Sequence, residues 1–113
     1  MEENKFELII TIVNRGFSDA VVNSARNAGA SGGTIINGRG TGVHEKETIL
    51  GVSLQPEKEL VLTLVKKEQK LKVMEAIVEG GELFQEGKGL CFCLPVINVA
   101  GITHMASIEM FDK

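Results

Sequence analysis

The chain has no tryptophan, no tyrosine and only five phenylalanines among its 113 residues. Proteins that bind single-stranded nucleic acid stack bases on aromatic side chains, and proteins that bind duplexes neutralise phosphates with an excess of lysine and arginine. Here the formal net charge is -3 and the isoelectric point is about 5.4. The composition argues against a nucleic-acid partner and predicts a core of aliphatic side chains.

Cysteine is also scarce, and the apolar run that follows the acidic N-terminus is short. Cys91 and Cys93 lie two residues apart in an apolar segment. Strand geometry would separate them by about 7 Å, which is long for a disulfide, so we interpret both as buried apolar side chains. The N-terminal run is too short for a signal peptide or a membrane span. We therefore expect one cytoplasmic domain that spans residues 1–113.

A near-duplicate segment is the most informative local feature. Residues 7–13 (ELIITIV) reappear as residues 59–65 (ELVLTLV), with Glu, Leu, Thr and Val kept at four positions. Both runs are short, continuous and rich in branched aliphatic residues, as buried strands are. The repeat predicts two matched strands, one in each half of the chain.

Each predicted strand is followed by a helical pattern. In the first half Ser18 is a plausible N-cap, and apolar residues recur at helical spacing until Gly29. In the second half an apolar stripe runs from Leu71 to Val78, and Gly80 and Gly81 end it. The pattern predicts two helices of about three turns.

Glycine-rich segments then lead to two further strand candidates, residues 34–37 and 90–94. The resulting order is βαββαβ, which is typical of the ferredoxin-like α+β fold, with a four-stranded antiparallel sheet and two helices on one face. The matched strands are apolar on both faces, so the face without helices would be left exposed. Self-association through that face is expected, and a homotrimer is a common solution.

The connection between the halves, residues 38–58, is longer than a hairpin needs. Long polar loops on compact domains are usually functional, so we expect this one to recognise a partner. The central residues expected to do so are His44, Glu45, Lys46 and Glu47. A metal role for His44 with the neighbouring glutamates is less favoured than a solvated loop, and no metal site is predicted.

Residues 29–35 read Gly-Ala-Ser-Gly-Gly-Thr-Ile, and residues 40–42 read Gly-Thr-Gly. These segments resemble the PII family of nitrogen-regulatory signalling proteins: the first is similar to the family's Gly-x-x-Gly-x-Thr-Val entry into its second strand, and the second takes the place of Gly-Phe-Gly at the start of its T-loop. Residues 75–78 lead without a gap to residues 87–89, the place of the Gly-Asp-Gly B-loop, and on to residues 92–96. The resemblance covers roughly residues 6–96.

The resemblance implies a non-enzymatic trimer that binds an effector, such as ATP, ADP or another anion, in clefts between subunits. Its loop would dock on a regulated transporter or enzyme. The residues that match the effector-binding segments, or lie beside them, are Thr34, Arg39, Gly40, Gly42, Gly87, Lys88 and Gly89. The glycines suit this role because bare backbone N–H groups approach an anion closely.

The chain also departs from the family pattern. Basic residues that reach phosphates in the family are replaced by Leu90, Gly101 and Thr103. The absence of tyrosine excludes tyrosine uridylylation.

Two alternatives stay open. One is a metal-binding trimer like the CutA proteins, which share the fold, and the other is a small isomerase-like enzyme. The second is less favoured because no histidine or acid is expected on the open face of the sheet.

Overall fold

The computed structural model describes residues 4–41, 47–49 and 52–101, with the backbone alone for 47–49 and 52–54. Within these residues there are six strands and two α-helices, the second preceded by a 3-10 turn at Lys67–Gln69. The elements are β1 (Phe6–Asn14), α1 (Ser18–Asn27), β2 (Thr34–Arg39), β3 (Glu47–Ile49), β4 (Val52–Leu54), β5 (Glu57–Lys66), α2 (Lys70–Gly80) and β6 (Gly89–Val96). Among the described residues, neither helix is long and apolar enough to cross a bilayer.

The main sheet has four antiparallel strands in the order β2-β5-β1-β6. The two matched segments of the repeat are its central strands and pair with each other, with Ile9 opposite Thr63 and Thr11 opposite Val61. Both helices pack on one face of this sheet and against each other. The predicted ferredoxin-like fold is confirmed.

The core lies between the helices and this sheet face. Alternate residues of β1 point into it, so that Ile9, Thr11 and Val13 are buried. They meet aliphatic side chains from the other strands and both helices: Val21, Ala25, Ala30, Val61, Val65, Val73 and Ile77. Cys91 and Cys93 are free and half-buried at the margin of this core, as filler side chains would be.

The opposite side of the sheet, called here the open face, carries no helix. It is apolar over all four strands, because the residues that alternate with the core positions are also aliphatic or aromatic. Its exposed members include Leu94 at 47% and Ile36 at 45%. The open face consists of Leu8, Ile10, Ile12, Ile36, Leu60, Leu62, Leu64, Leu90, Phe92 and Leu94.

Two local predictions need correction. The connection between the halves contains a short hairpin, β3 with β4, which was predicted as loop. Three-residue strands are too short to show an alternating pattern in the sequence. Ser18 is the first residue of α1, and Phe17 occupies the N-cap position without a side-chain cap. The capping function comes instead from β5, through Glu59.

The two glutamates shared by the repeat both lie at helix N-termini. Glu7 of β1 accepts from Asn4 and lies 3.8 Å from the Lys70 ammonium at the start of α2. Glu59 of β5 accepts from the backbone at the start of α1. A negative charge is stabilising at these positions because helix N-termini carry unpaired N–H groups and a partial positive charge. The repeat therefore preserves a charge that serves each half's helix.

A close approach of the helices depends on Gly80. A Cβ at this position would overlap the Ser24 side chain on α1. We expect Gly80→Ala to lower the free energy of unfolding by about 1–3 kcal/mol, since overpacking forces the helices apart. Urea denaturation measures the change. In a chain that also carries Ser24→Gly, which removes the overlapping atoms, the cost of Gly80→Ala should largely disappear; an undiminished cost would contradict the steric explanation.

Candidate functional site

The segments singled out by the sequence converge on one end of the sheet, called here the loop end. Strands β1 and β2 finish there, and β5 and β6 begin there. Three connections therefore meet at the loop end: the β1–α1 turn, the base of the long connection after β2, and the segment between α2 and β6. This placement follows from antiparallel pairing alone.

Asn14 holds two of these segments together. Its amide Nδ2 donates to the Gly87 carbonyl at 3.2 Å, and its Oδ1 accepts from the Lys58 ammonium at 2.6 Å. The side chain therefore links the end of β1 to β5 on one side and to the 87–89 segment on the other. A single amide suits this position because it donates and accepts at once.

The Lys88 ammonium contacts two side chains among the described residues. It lies 3.7 Å from Glu82 Oε1 and 5.1 Å from the centre of the Phe17 ring. The Phe17 contact is a cation–π interaction at a half-exposed ring. Lys88 is thus held over the β1–α1 turn in this state.

The glycines on either side of Lys88 have conformations that other residues rarely adopt. Gly87 has φ +82 and Gly89 has φ +139. At Gly89 a Cβ would also overlap the Ile12 carbonyl oxygen. The start of β6 therefore needs glycine for its own folding, which supplies a structural reason for part of the Gly-Lys-Gly motif independent of any ligand.

Glu59 organises the β1–α1 turn. Its Oε1 accepts from the Gly16 amide at 3.0 Å and from the Ser18 amide at 3.2 Å. The Ser18 hydroxyl, followed by the Gly16 amide, lowers the pKa of Glu59 below its ordinary value of 4.5. The carboxylate, although partly exposed, therefore stabilises the turn that carries Phe17.

A lowered pKa in the folded state means that ionised Glu59 stabilises the fold above pH 4.5, and that this contribution disappears as the pH falls through the lowered pKa. We expect Glu59→Gln to cost about 1 kcal/mol of unfolding free energy at neutral pH, the usual size of a cap. The difference from the original chain should shrink below pH 4.5. Denaturation at several pH values checks this, with Glu75→Gln on α2 as control. A cost independent of pH would contradict it.

The base of the long connection lies on the other edge of the sheet. Arg39 ends β2 opposite Glu57, and the Gly40 amide donates to the Pro56 carbonyl at 3.2 Å. Because β2 and β6 are separated by β5 and β1, the edge strands next to Gly40 and Gly87 lie about 14 Å apart, which is three strand spacings. One chain therefore places the two glycine segments at the same end but on opposite edges.

Thr34 is further away still. It starts β2 opposite Leu62 in the middle of the sheet, about 17 Å along the strand from Arg39. Gly42, His44, Glu45 and Lys46 lie outside the described residues, and of Glu47 the backbone alone is described, as the first residue of β3. Among the described residues of the predicted effector site, Gly87, Lys88 and Gly89 therefore lie together, whereas Arg39 and Gly40 lie at the other edge and Thr34 lies at the start of β2.

Leu90, Gly101 and Thr103 stand where the family has basic residues that reach phosphates. Leu90 points to the open face, Gly101 has φ +91, and Thr103 lies outside the described residues. In the part of the chain that the structure describes, no group of three metal-ligating side chains comes together. Burial raises the pKa of the Cys91 thiol, which favours the neutral, unreactive form.

Sequence reasoning missed the residues that organise the loop end. Asn14, Phe17 and Lys58 make tertiary contacts there but belong to no motif, and Glu59 was known only as a residue of the repeat. The one available signal was the glutamate kept in both copies of the repeat. A charged side chain retained at the start of two apolar strands indicates a specific interaction within the fold.

Fold and site together define a class: a small ferredoxin-like domain with an apolar open face and glycine segments at the two edges of one sheet end. Residues 6–105 match the family model described as Nitrogen regulatory protein P-II. The chain belongs to this family, whose members are non-enzymatic regulators, so the predicted resemblance and the non-enzymatic role are confirmed. The match favours the PII interpretation over the CutA-like and isomerase-like alternatives.

A solved structure supports the assignment. The crystal structure of PII from Arabidopsis thaliana bound to citrate is similar to this chain, with a TM-score of 0.70 and 25% sequence identity. The similarity covers 92% of this chain and 86% of the plant protein. A comparison with curated proteins gives no match.

Proposed function

We propose that this protein is a homotrimeric sensor that binds an anionic effector, ATP or ADP, between subunits and regulates a transporter or enzyme through its long connection. The observation that carries the proposal is the position of the glycine segments at opposite edges of one sheet end. One chain cannot close a cleft from two edges about 14 Å apart. Two chains side by side can, if β2 of one lies near β6 of the next.

The open face gives a reason for the chains to associate. Ten large apolar side chains on one side of a small sheet form a surface that monomers rarely leave in contact with water. Burying it between copies stabilises the assembly in proportion to the apolar area removed from water. Three copies around an axis would cover all three faces and bring their sheet edges together.

Lys88 and Arg39 are the cations proposed to hold the effector. Lys88 now pairs with Glu82, so an anion would have to replace that carboxylate as the partner of the ammonium. Such an exchange couples effector binding to the segment between α2 and β6. The Lys88 side chain contacts Glu82 in the free state and would contact the anion in the bound state. Gly42, Thr34 and the backbone N–H groups of the glycine segments complete the proposed site.

Isothermal titration of the full chain with ATP, ADP and citrate tests the proposal. We expect binding of at least one of them, at one site per chain. Lys88→Gln should weaken it about tenfold or more, because hydrogen bonds to charged groups are the strongest contributors. Lys5→Gln, at the other end of the sheet, is the matched control. No heat with any ligand, or equal loss in both variants, would overturn the proposed site.

Regulation of a partner through residues 42–55 is tested separately. A chain with residues 43–47 replaced by a Gly-Ser linker should recover less of its partner from a native extract than the original chain. The central residues at stake are His44, Glu45, Lys46 and Glu47. Equal recovery by both chains would place partner recognition elsewhere.

A further inference from the structure

Charge is divided unequally between the two ends of the sheet. Among the described residues the loop end has an excess of acidic side chains: Asp19, Glu57, Glu59, Glu79, Glu82 and Glu86 accompany Arg15, Arg39, Lys58 and Lys88. The far end, where β1 and α2 begin, has the reverse excess: Lys5, Arg26, Lys66, Lys67, Lys70 and Lys72 accompany Glu7 and Glu68. Counted over the described residues, the far end is therefore basic, although the whole chain has a net charge of -3.

The exposed lysines of the far end lie close together along the backbone, with the exposed Glu68 among them. The Lys67 amide donates to the Lys5 carbonyl at 2.9 Å, and Lys66 lies next to them as the last residue of β5. The chain then passes directly into the first turn of α2, which carries Lys72. All four side chains are exposed. Lys70 differs, because it is half-buried beside Glu7.

An apolar side chain lies among these lysines. Leu71 is 74% exposed, although it belongs to the apolar stripe predicted from the sequence for α2. Ile97, just beyond β6 at the same end, is 66% exposed. The first turn of α2 contains no acidic residue of its own, and Glu7 beside Lys70 offsets part of its positive charge. We call Lys5, Lys66, Lys67, Leu71 and Lys72 the basic patch.

We infer that the basic patch binds the surface of an anionic lipid bilayer. Exposed lysines around a protruding leucine are the combination that favours the interface, where cations meet lipid headgroups and the apolar side chain enters the boundary below them. The patch is too small for a stable protein interface, which needs 20–30 residues on each side. A bilayer needs no such area, because each basic residue contributes independently.

The arrangement has an orientational consequence. Only the far end of the sheet matches a negative surface, since the loop end carries an excess of acidic groups. The protein would lie on the bilayer with its loop end toward water, and the long connection would stay accessible to an enzyme in solution but would point away from a transporter in the same bilayer. The inference uses one chain alone; the proposed trimer would strengthen binding by presenting three patches.

Flotation of the full chain with vesicles tests the inference. Vesicles of phosphatidylcholine with about 30% phosphatidylserine should carry the protein upward at low salt, and pure phosphatidylcholine vesicles should not. Binding should fall steeply at about 0.5 M salt because screening weakens the attraction. The double variant Lys67→Gln/Lys72→Gln should bind about 30-fold more weakly, from about fivefold for each lysine.

Two controls keep the test specific. Asn23→Asp/Gln85→Glu changes the net charge by the same amount at exposed positions away from the basic patch and should retain binding. Leu71→Gln should weaken binding at every salt concentration, and circular dichroism verifies that each variant is folded. Lack of binding to anionic vesicles by the original chain, or equal loss in both double variants, would overturn the inference. Binding to polyglutamate but to no vesicle would indicate an acidic protein partner and overturn the lipid assignment.

Discussion

Phe92→Glu is expected to convert the proposed oligomer into folded monomers of 12.2 kDa. Phe92 lies opposite Ile10 in the central row of the open face and is 37% exposed in the single chain. A glutamate there can reach water in a monomer, so folding should survive. In an assembly that buries the open face, the same carboxylate would lose its hydration without a partner, at a cost of several kcal/mol for each subunit.

Sedimentation equilibrium at micromolar concentration measures this effect. Phe84→Glu is the matched control, since Phe84 is 70% exposed and lies in the segment between α2 and β6, outside the open face. That variant should keep the mass of the original assembly. A monomeric original chain, or an unchanged mass for Phe92→Glu, would show that the open face is not the surface through which copies associate.

Gly89→Ala is expected to lower the free energy of unfolding by about 2–4 kcal/mol. Alanine is strained at a positive φ, and its Cβ would be packed too closely against β1. Gly89 has φ +139, and a Cβ would overlap the Ile12 carbonyl oxygen. Relief requires the start of β6 to move away from β1, which would displace Gly87 and Lys88 as well. For a chain of this length the midpoint of thermal unfolding should fall by about 10 °C or more.

Gly40→Ala is the control for this prediction. Gly40 belongs to the same proposed site, but a Cβ there would meet nothing within 4 Å. We expect a change within about 0.5 kcal/mol, as for ordinary surface substitutions. Thermal unfolding followed by circular dichroism compares the two. Equal effects of both substitutions would contradict the distinction between a glycine needed for folding and one needed only for access to a ligand.

Much of the fold was predictable because it depends on patterns within short segments. The repeat of residues 7–13 at 59–65 identified the two central strands, and their helical successors completed the βαββαβ order. The predicted boundaries were short by one or two residues at several strand ends, since strand ends are set by pairing rather than by composition. The hairpin of β3 and β4 was missed because three-residue strands show no alternating pattern.

The candidate site was predictable only in part. Gly87 and Gly89 were identified by their motif, and both adopt the conformations that glycine permits. The pairing of Lys88 with Glu82 and its position over Phe17 left no signal in the sequence, because those contacts join positions that only folding brings together. The same holds for Asn14, whose partners come from β5 and the segment before β6.

The sequence by itself determined the period-2 and period-3.6 apolar patterns, and with them the number and order of the main elements and the two-sided hydrophobicity of the central strands. Tertiary structure alone decided which side the helices cover, which strands become edges and which charges gather at each end. The physical reason is the sequence separation of the interacting residues. Periodic patterns relate residues a few positions apart, whereas edges, faces and charge clusters arise from pairings between distant parts of the chain. Val13, for example, pairs with both Glu59 and Gly89.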